Sequence, residues 1–279
     1  MNIIEHLDEE LSYNTEDWLS ATKLGAAYLK MGKLSHAYAF TAMALGIEQN
    51  AITLIETGRV LSAMGRWKEA LNFFEVAADK DPKNIEAANN AALAHLNLGD
   101  HDKGAEWLMR PFAKMSKKEY DAADTRELDW NWSFVHLARG EYRKGWAAWN
   151  KGEGHGDRVP RHLYLPRWRP GDEGGVVFYG EQGLGDQIMF AECLYDAVGD
   201  VKGPSVVEVD QRLAGLFQRS FPDQQIMGTL NKEDAGWKAP AGSGRIPLGS
   251  LPEYYRPSEA SYRGHPYLLA CPDRKLMMR

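Results

Sequence analysis

The sequence predicts a fold in two parts, an array of paired helices followed by a parallel α/β domain. Small residues and glycines recur at a fixed interval through the first half of the chain, which is typical of stacked helical hairpins. In the second half, short apolar runs alternate with amphipathic segments, as strands and helices do around a parallel sheet. The 279 residues are enough for two domains.

Three series of small residues mark the repeat. They are Gly25, Gly58, Ala92 and Ser133 within the first helix of each hairpin, Gly32, Gly65, Gly99 and Gly140 at its end, and Ala37, Ala70, Gly104 and Gly145 near the start of the second helix. In every series the successive members are 33, 34 and 41 residues apart. The longer last interval predicts a loop near residues 114–124, in which the lysines of 114–118 are solvated.

The repeat has a physical interpretation at each marker. Small side chains within the first helix let the two helices of a hairpin approach closely, and a glycine ends the helix in a left-handed conformation. A single hairpin cannot bury its apolar face, so neighbouring hairpins stack and form a concave surface lined by the first helices.

Composition, charge and cysteine spacing disfavour several classes of function. The chain is 44% hydrophobic and 26% charged, with a formal net charge of -6, which disfavours a general nucleic-acid binder or an electrostatic membrane anchor. The sequence has no apolar run of membrane-spanning length, and its first residues do not resemble a signal peptide. Cys193 and Cys271 fit no metal-ligand spacing, so we expect no metal or cofactor and a reducing, cytoplasmic location.

The second half reads as an α/β sheet. Strands are predicted at 176–179, 206–209, 225–227 and 245–248, and helices at 187–198 and 212–220. Prolines and a glycine between 158 and 173 interrupt any helix and predict a linker or an extended segment. The predicted domains are a repeat array over 1–152, a linker over 153–173 and an α/β domain over 174–279.

A glycine-rich turn, residues 180–186, follows the first predicted strand, where open α/β sheets place their ligands. Its G-x-x-G-x-G spacing differs from the dinucleotide fingerprint and has no P-loop ending, and the Asp186 carboxylate would repel a phosphate. NAD and ATP are therefore disfavoured, and with them a dinucleotide oxidoreductase. Asp186 either accepts a proton from a hydroxyl or caps the helix. His155 and His162 near Asp157 suggest a metal site, but an ordinary loop is favoured.

The period and residue types resemble the tetratricopeptide repeat. Leu24-Gly25 with Tyr28, Ala70 with Phe74 and Pro82, and Gly145 with Trp149 fit its pattern, whereas Thr41 and Leu108 replace expected aromatic residues. The resemblance implies that a protein or peptide binds in the groove, against Arg59, Asn89, Leu93, Trp130 and Phe134. Two alternatives are open: Trp130 and Phe134 pack on the next domain, and Arg59 and Asn89 are merely solvated.

Nearly the whole chain is similar to bacterial repeat proteins with a glycosyltransferase-like domain, related to O-linked GlcNAc transferases and heptosyltransferases. The stretches that carry this resemblance are 140–146, 165–168, 180–191, 205–222, 248–252 and 264–268. It implies a GT-B fold of two Rossmann-like halves, with Asp186 as the general base toward the acceptor hydroxyl. Glu181, Gln182, Gly183 and Gly185 would line the substrate site.

The resemblance also implies an incomplete enzyme, because the half that holds the nucleotide-sugar should begin where this chain stops. Residues 174–279 match a single Rossmann-like half, and 272–279 resemble the crossover into the other. A truncated product, a second chain that supplies the missing half, and a non-catalytic remnant all stay open. The expected function is sugar transfer, without an obligatory metal, to a hydroxyl acceptor recruited by the repeats; the alternative is a non-catalytic interaction scaffold.

Overall fold

The computed structural model describes residues 14–122, 126–154, 158–230, 237–264 and 266–272, together with residues 4, 6 and 156. Two compact units divide the chain, Met1–Val135 and His136–Arg279. The domain limits at 152 and 174 that the sequence suggests stay predictions. No helix in the described residues is long and apolar enough to cross a bilayer.

Within the described residues, six helices pair into three hairpins, in agreement with the predicted repeat. The pairs are α1 (Trp18–Lys30) with α2 (Leu34–Ile47), α3 (Ala51–Ala63) with α4 (Trp67–Lys80), and α5 (Ile85–Asn97) with α6 (His101–Met109). Helices α8 (Arg126–Ala138) and α9 (Tyr142–Lys151) follow at the positions predicted for the fourth hairpin. The boundary between the units falls inside α8.

The glycine markers have the predicted roles. Gly32, Gly65, Gly99 and Gly140 all have positive φ angles, between 70° and 82°, which is the left-handed conformation that ends a helix at glycine. A Cβ atom added at Gly58 would overlap the ring of Phe74, so the small residue allows α3 and α4 to pack closely.

The predicted loop at 114–124 is wrong for residues 114–122, and residues 123 and 124 lie outside the described part of the chain. A 3₁₀ turn over Phe112–Lys114 is followed by helix α7, Lys117–Ala122. The Ser116 backbone N–H donates to Glu119 Oε2 (2.7 Å) and the Glu119 N–H donates to Ser116 Oγ (3.3 Å). This reciprocal pair is a capping box, which starts a helix.

The second unit has a parallel sheet of four strands in its described part. The strands are β1 (Val176–Tyr179), β2 (Ser205–Asp210), β3 (Gln225–Thr229) and β4 (Gly244–Pro247). Their order is β3-β2-β1-β4, and every neighbouring pair is parallel. All four strands lie within about one or two residues of the positions predicted from the apolar runs.

Two connections cross from β1 to β2 and from β2 to β3. The second is the predicted helix, α12 (Gln211–Ser220). The first is broken and not the single helix predicted over 187–198: α10 (Leu184–Phe190) and α11 (Leu194–Ala197) alternate with 3₁₀ turns at Ala191–Cys193 and Val198–Asp200. Its buried residues, Phe190, Cys193 and Ala197 among them, are three or four positions apart, a spacing that 3₁₀ turns also place on one face.

The proline-containing segment before β1 lies along the sheet edge. The Trp168 N–H donates to the Arg245 carbonyl (2.9 Å), and the Arg245 N–H donates to the Pro166 carbonyl (2.8 Å). Trp168 is buried, with its ring centroid 5.7 Å from that of Phe178. Residues 166–168 are therefore anchored on β4.

Candidate functional site

A cavity of about 400 Å³ lies between α5 and α8 in the first unit. It is lined by Leu93, Leu96, Asn97, His101 and Phe134. The Trp130 ring, one helical turn before Phe134, lies 6.2 Å from the Phe134 ring between centroids. The structure thus brings together three of the predicted groove residues, Leu93, Trp130 and Phe134.

The polar rim of this cavity is partly occupied by local bonds. The side-chain nitrogen of Asn97 donates to the Leu93 carbonyl (2.8 Å), so the Asn97 side chain is fixed along α5. The Nδ1 atom of His101 is buried and makes no hydrogen bond within the described residues. A buried polar atom without a partner is costly, and a ligand group could satisfy it.

Arg59 lies away from this cavity, between α3 and α5. Its guanidinium is 2.8 Å from Glu56 and 3.8 Å from Glu86, and its side chain is 44% exposed. Burial raises the pKa of Glu56, while the charge of Arg59 opposes that rise. Arg59 therefore belongs to a charged patch on the helices, and its contact with a partner stays a prediction.

Asn89 has a structural contact. It is only 3% exposed, and its Oδ1 accepts a hydrogen bond from Asn131 Nδ2 (2.7 Å). The alternative of a solvated Asn89 is therefore wrong. Because Asn89 is one turn from Leu93 and Asn131 is three residues from Phe134, this bond sets the spacing of α5 and α8 beside the cavity. Its role in direct partner contact stays a prediction.

In the second unit the glycine-rich turn joins β1 to α10. Gly183 is the N-cap residue and makes no side-chain cap bond. Asp186 is half-buried as the third residue of α10, so it is not the N-cap residue itself. A Cβ atom added at Gly185 would meet nothing within 4 Å, so close packing does not require a glycine at that position. The roles predicted for Asp186 as a base, and for Gly183 and Gly185 in substrate binding, stay predictions.

Glu181 and Arg158 form a buried ion pair at the same turn, with 3.5 Å between Glu181 Oε1 and Arg158 Nη2. Arg158 also donates to the Trp149 carbonyl, and its guanidinium lies 4.9 Å from the Trp149 ring centroid. Burial raises the pKa of Glu181 and lowers the pKa of Arg158. Glu181 thus connects the turn to the segment before β1, and its predicted contact with substrate is untested, as is that of buried Gln182.

Gln187 is a residue that the sequence analysis did not single out. Its Nε2 donates to the Gln182 carbonyl (2.9 Å), and its Oε1 accepts from the Asp210 N–H (2.9 Å). A Cβ atom at Gly180 would overlap this side chain. Gln187 therefore fixes the turn against the carboxyl end of β2. The sequence signal for this contact is Gly180, because a side chain at that position would leave no room for Gln187.

A second buried acid, Glu208 on β2, has three polar side chains within contact distance. It contacts Arg161 Nη1 at 2.7 Å, His162 Nε2 at 3.1 Å and Trp237 Nε1 at 2.7 Å. His162, considered above for a metal, is held by this carboxylate. His155 and Asp157 lie outside the described residues, and no metal-ligating group of three side chains occurs in the part of the chain that is described.

Comparison with known protein families supports the repeat. Residues 61–123 match the family model for the tetratricopeptide repeat. Among solved structures, a thermophilic TPR protein of Thermus thermophilus is similar over 58% of this chain and 84% of its own, with 17% identity and a TM-score of 0.47.

Two curated proteins are similar in sequence. Protein FlbA of Caulobacter vibrioides is 28% identical over 219 residues, which are 76% of this chain and 36% of FlbA. The BBSome complex member BBS4 of Bos taurus is 27% identical over 105 residues, 38% of this chain and 20% of BBS4. The chain thus spans about a third of the first relative and a fifth of the second. Within the chain, residues 61–123 match the tetratricopeptide repeat, as the spacing of the glycines predicts.

Proposed function

We propose that the repeat unit is a protein-interaction module, which captures a peptide by inserting one large apolar side chain of that peptide between α5 and α8. The cavity bounded by Leu93 and Phe134 is the observation that carries this proposal. Its volume is within the ~300–1,000 Å³ typical of ligand sites, so it accommodates a leucine or an aromatic ring.

The chemistry of the lining supports an apolar anchor with polar recognition around it. Leu93, Leu96 and Phe134 supply hydrocarbon surface, and Phe134 is 37% exposed. Aromatic side chains that become buried when a partner binds are among those that contribute most of the energy at interfaces. Asn97 Oδ1 and His101 Nδ1 can bond the peptide backbone on either side of the anchor.

The comparisons favour this role over the sugar transfer expected from the sequence. The matched family model is a repeat of paired helices, and the bovine relative is named as a member of a complex. Both fit a surface that binds another protein.

A display library of short random peptides, selected on the full-length chain, tests the proposal. We expect the selected peptides to share a leucine or aromatic residue, and Phe134→Ala to weaken their binding by about tenfold or more, the cost of losing a buried aromatic contact. Val76→Ala is the matched control, because Val76 is exposed on α4 of the same unit. Equal loss in both variants, or selected peptides without an apolar consensus, would contradict the proposal.

Sugar transfer by the second unit is the alternative function, and the strand order favours it. The order β3-β2-β1-β4 is that of the first four strands of a doubly wound nucleotide-binding sheet, as a Rossmann-like half of a GT-B fold would have. A donor-binding half supplied by a second chain is part of this alternative.

Turnover of a panel of labelled nucleotide-sugars tests this alternative. If Asp186 is the base, Asp186→Asn lowers transfer by about 10²–10⁴-fold, while Asp223→Asn, at an exposed aspartate, leaves it unchanged. Equal rates in the two variants would remove Asp186 from the mechanism.

A further inference from the structure

The second unit contains a cavity of about 550 Å³ that none of the roles above uses. It is lined by Ala147, Asn150 and Lys151 of α9, Arg167 and Arg169 of the segment before β1, and Glu253 and Tyr254 of helix α13 (Pro252–Tyr255). Its lining holds three cationic side chains and one carboxylate, in a chain whose formal net charge is -6.

Two of the carboxylates near this cavity are bonded to other side chains. Glu253 accepts a hydrogen bond from Asn150 Nδ2. Glu153 lies between two guanidinium groups, Arg167 and Arg245, and so balances only one of them. The cavity lining therefore has more cationic side chains than carboxylates, which favours an anion as its ligand.

The two arginines are positioned on one side of their segment. Trp168 between them is buried and bonded to Arg245, and side chains two residues apart in an extended chain point the same way. Arg167 is further held by Ser250, whose Oγ accepts from its Nη2 (3.1 Å). A guanidinium has five N–H donors, so these bonds leave Arg167 able to donate to a ligand.

We propose that this cavity binds a small organic phosphate. Paired guanidinium groups and a lysine match the oxygens of a phosphate, to which arginine donates in bidentate fashion. Tyr254 and Ala147 provide surface for an organic body, and the cavity volume falls in the range of small-molecule sites. The ligand is thus a phosphate monoester and not the free ion.

Calorimetric titration of the full-length chain with phenyl phosphate, at low ionic strength, tests this proposal. The cavity variant is Lys151→Gln with Arg169→Gln. The matched control is Arg143→Gln with Lys144→Gln, which removes two exposed cations from the same helix region. We expect the cavity variant to weaken binding by about tenfold or more, since each charge-assisted bond contributes at least that much in favourable geometry, and the control to bind as the wild type does.

Inorganic phosphate and an acidic peptide are the comparison ligands. Tighter binding of phenyl phosphate than of inorganic phosphate supports an organic ligand. Equal affinity for the two, binding of the acidic peptide alone, no binding at millimolar concentration, or equal loss in both double variants would each overturn the proposal. Circular dichroism melting of the variants shows whether a loss of binding arises from unfolding; if the cavity variant unfolds, Arg169→Gln alone is measured in its place, with Arg143→Gln alone as its control.

Discussion

At the scale of single residues, close packing between paired helices depends on positions where glycine has no side chain. Gly58 faces Phe74, which is 1% exposed, and a methyl group on Gly58 would overlap the ring. A close-packed interior has no room for that methyl group. Adding a methyl group to a helical glycine is therefore expected to have opposite effects on stability at packed and at open positions.

Gly58→Ala is expected to destabilise the repeat unit by about 1–3 kcal/mol through overpacking, against a gain of about 1 kcal/mol in helix propensity. Gly46→Ala is the matched control, because Gly46 lies in α2 with open space around its Cα, and there the propensity gain alone should act. Urea unfolding of both variants measures the difference. A Gly58→Ala variant as stable as Gly46→Ala would show that Phe74 moves aside freely.

Two predicted site residues make structural contacts with residues that are distant in the sequence. The repeat position of Asn89 predicts that it lies in the groove, but its partner Asn131 lies 42 residues further along the chain. The resemblance predicts that Glu181 lines a substrate site, yet it pairs with Arg158, 23 residues earlier. Neither pairing is encoded in a local pattern, so sequence reasoning could place these residues but not their contacts.

At the scale of elements, local patterns predicted most of the structure. Glycine and alanine markers located every hairpin in the described residues, and apolar runs located the strands of β1 to β4. The helix within 114–124 has a local signal in the sequence, the capping box of Ser116 and Glu119. The broken crossover after β1 has no such signal, because its buried residues are three or four positions apart, as they would be in a continuous helix.

One carboxylate joins three elements of the second unit. Glu153, just beyond α9, bonds Arg167 before β1, and Arg245 of β4 lies 2.9 Å from its Oε1. Burial acts to raise the pKa of Glu153, but hydrogen bonds from Arg245 and the charge of Arg167 outweigh it and lower that pKa. The charged form is therefore the one that stabilises the folded unit.

Glu153→Gln should cost about 3 kcal/mol near neutral pH, because it leaves two partly buried cations without their carboxylate. A lowered pKa in the folded state means that the stabilisation is fully present above the ordinary value of about 4.3 and is lost as the pH falls through the lower folded value. The gap between wild type and variant should thus be constant at neutral pH and close in acid. Thermal unfolding across this range measures it, and a gap that widens in acid would contradict the assignment.

At the scale of the whole molecule, each compact unit has its own cavity with its own chemistry. The first unit has an apolar cavity beside aromatic rings, and the second has a cationic one. A peptide and a small phosphate are consequently expected to bind to different units. The repeat period revealed where the first surface lies, whereas the second cavity combines residues from 147 to 254 that only folding brings together.

The measurement that tests the peptide-binding claim most directly is a methyl NMR titration of the full-length chain with a peptide selected as described. We predict that the methyl signals of Leu93 and Leu96 shift on binding, while those of Leu248 and Leu251, buried in the second unit, do not. Saturable shifts at Leu248 and Leu251 with none at Leu93 and Leu96 would contradict the account, since the peptide would then bind elsewhere than between α5 and α8.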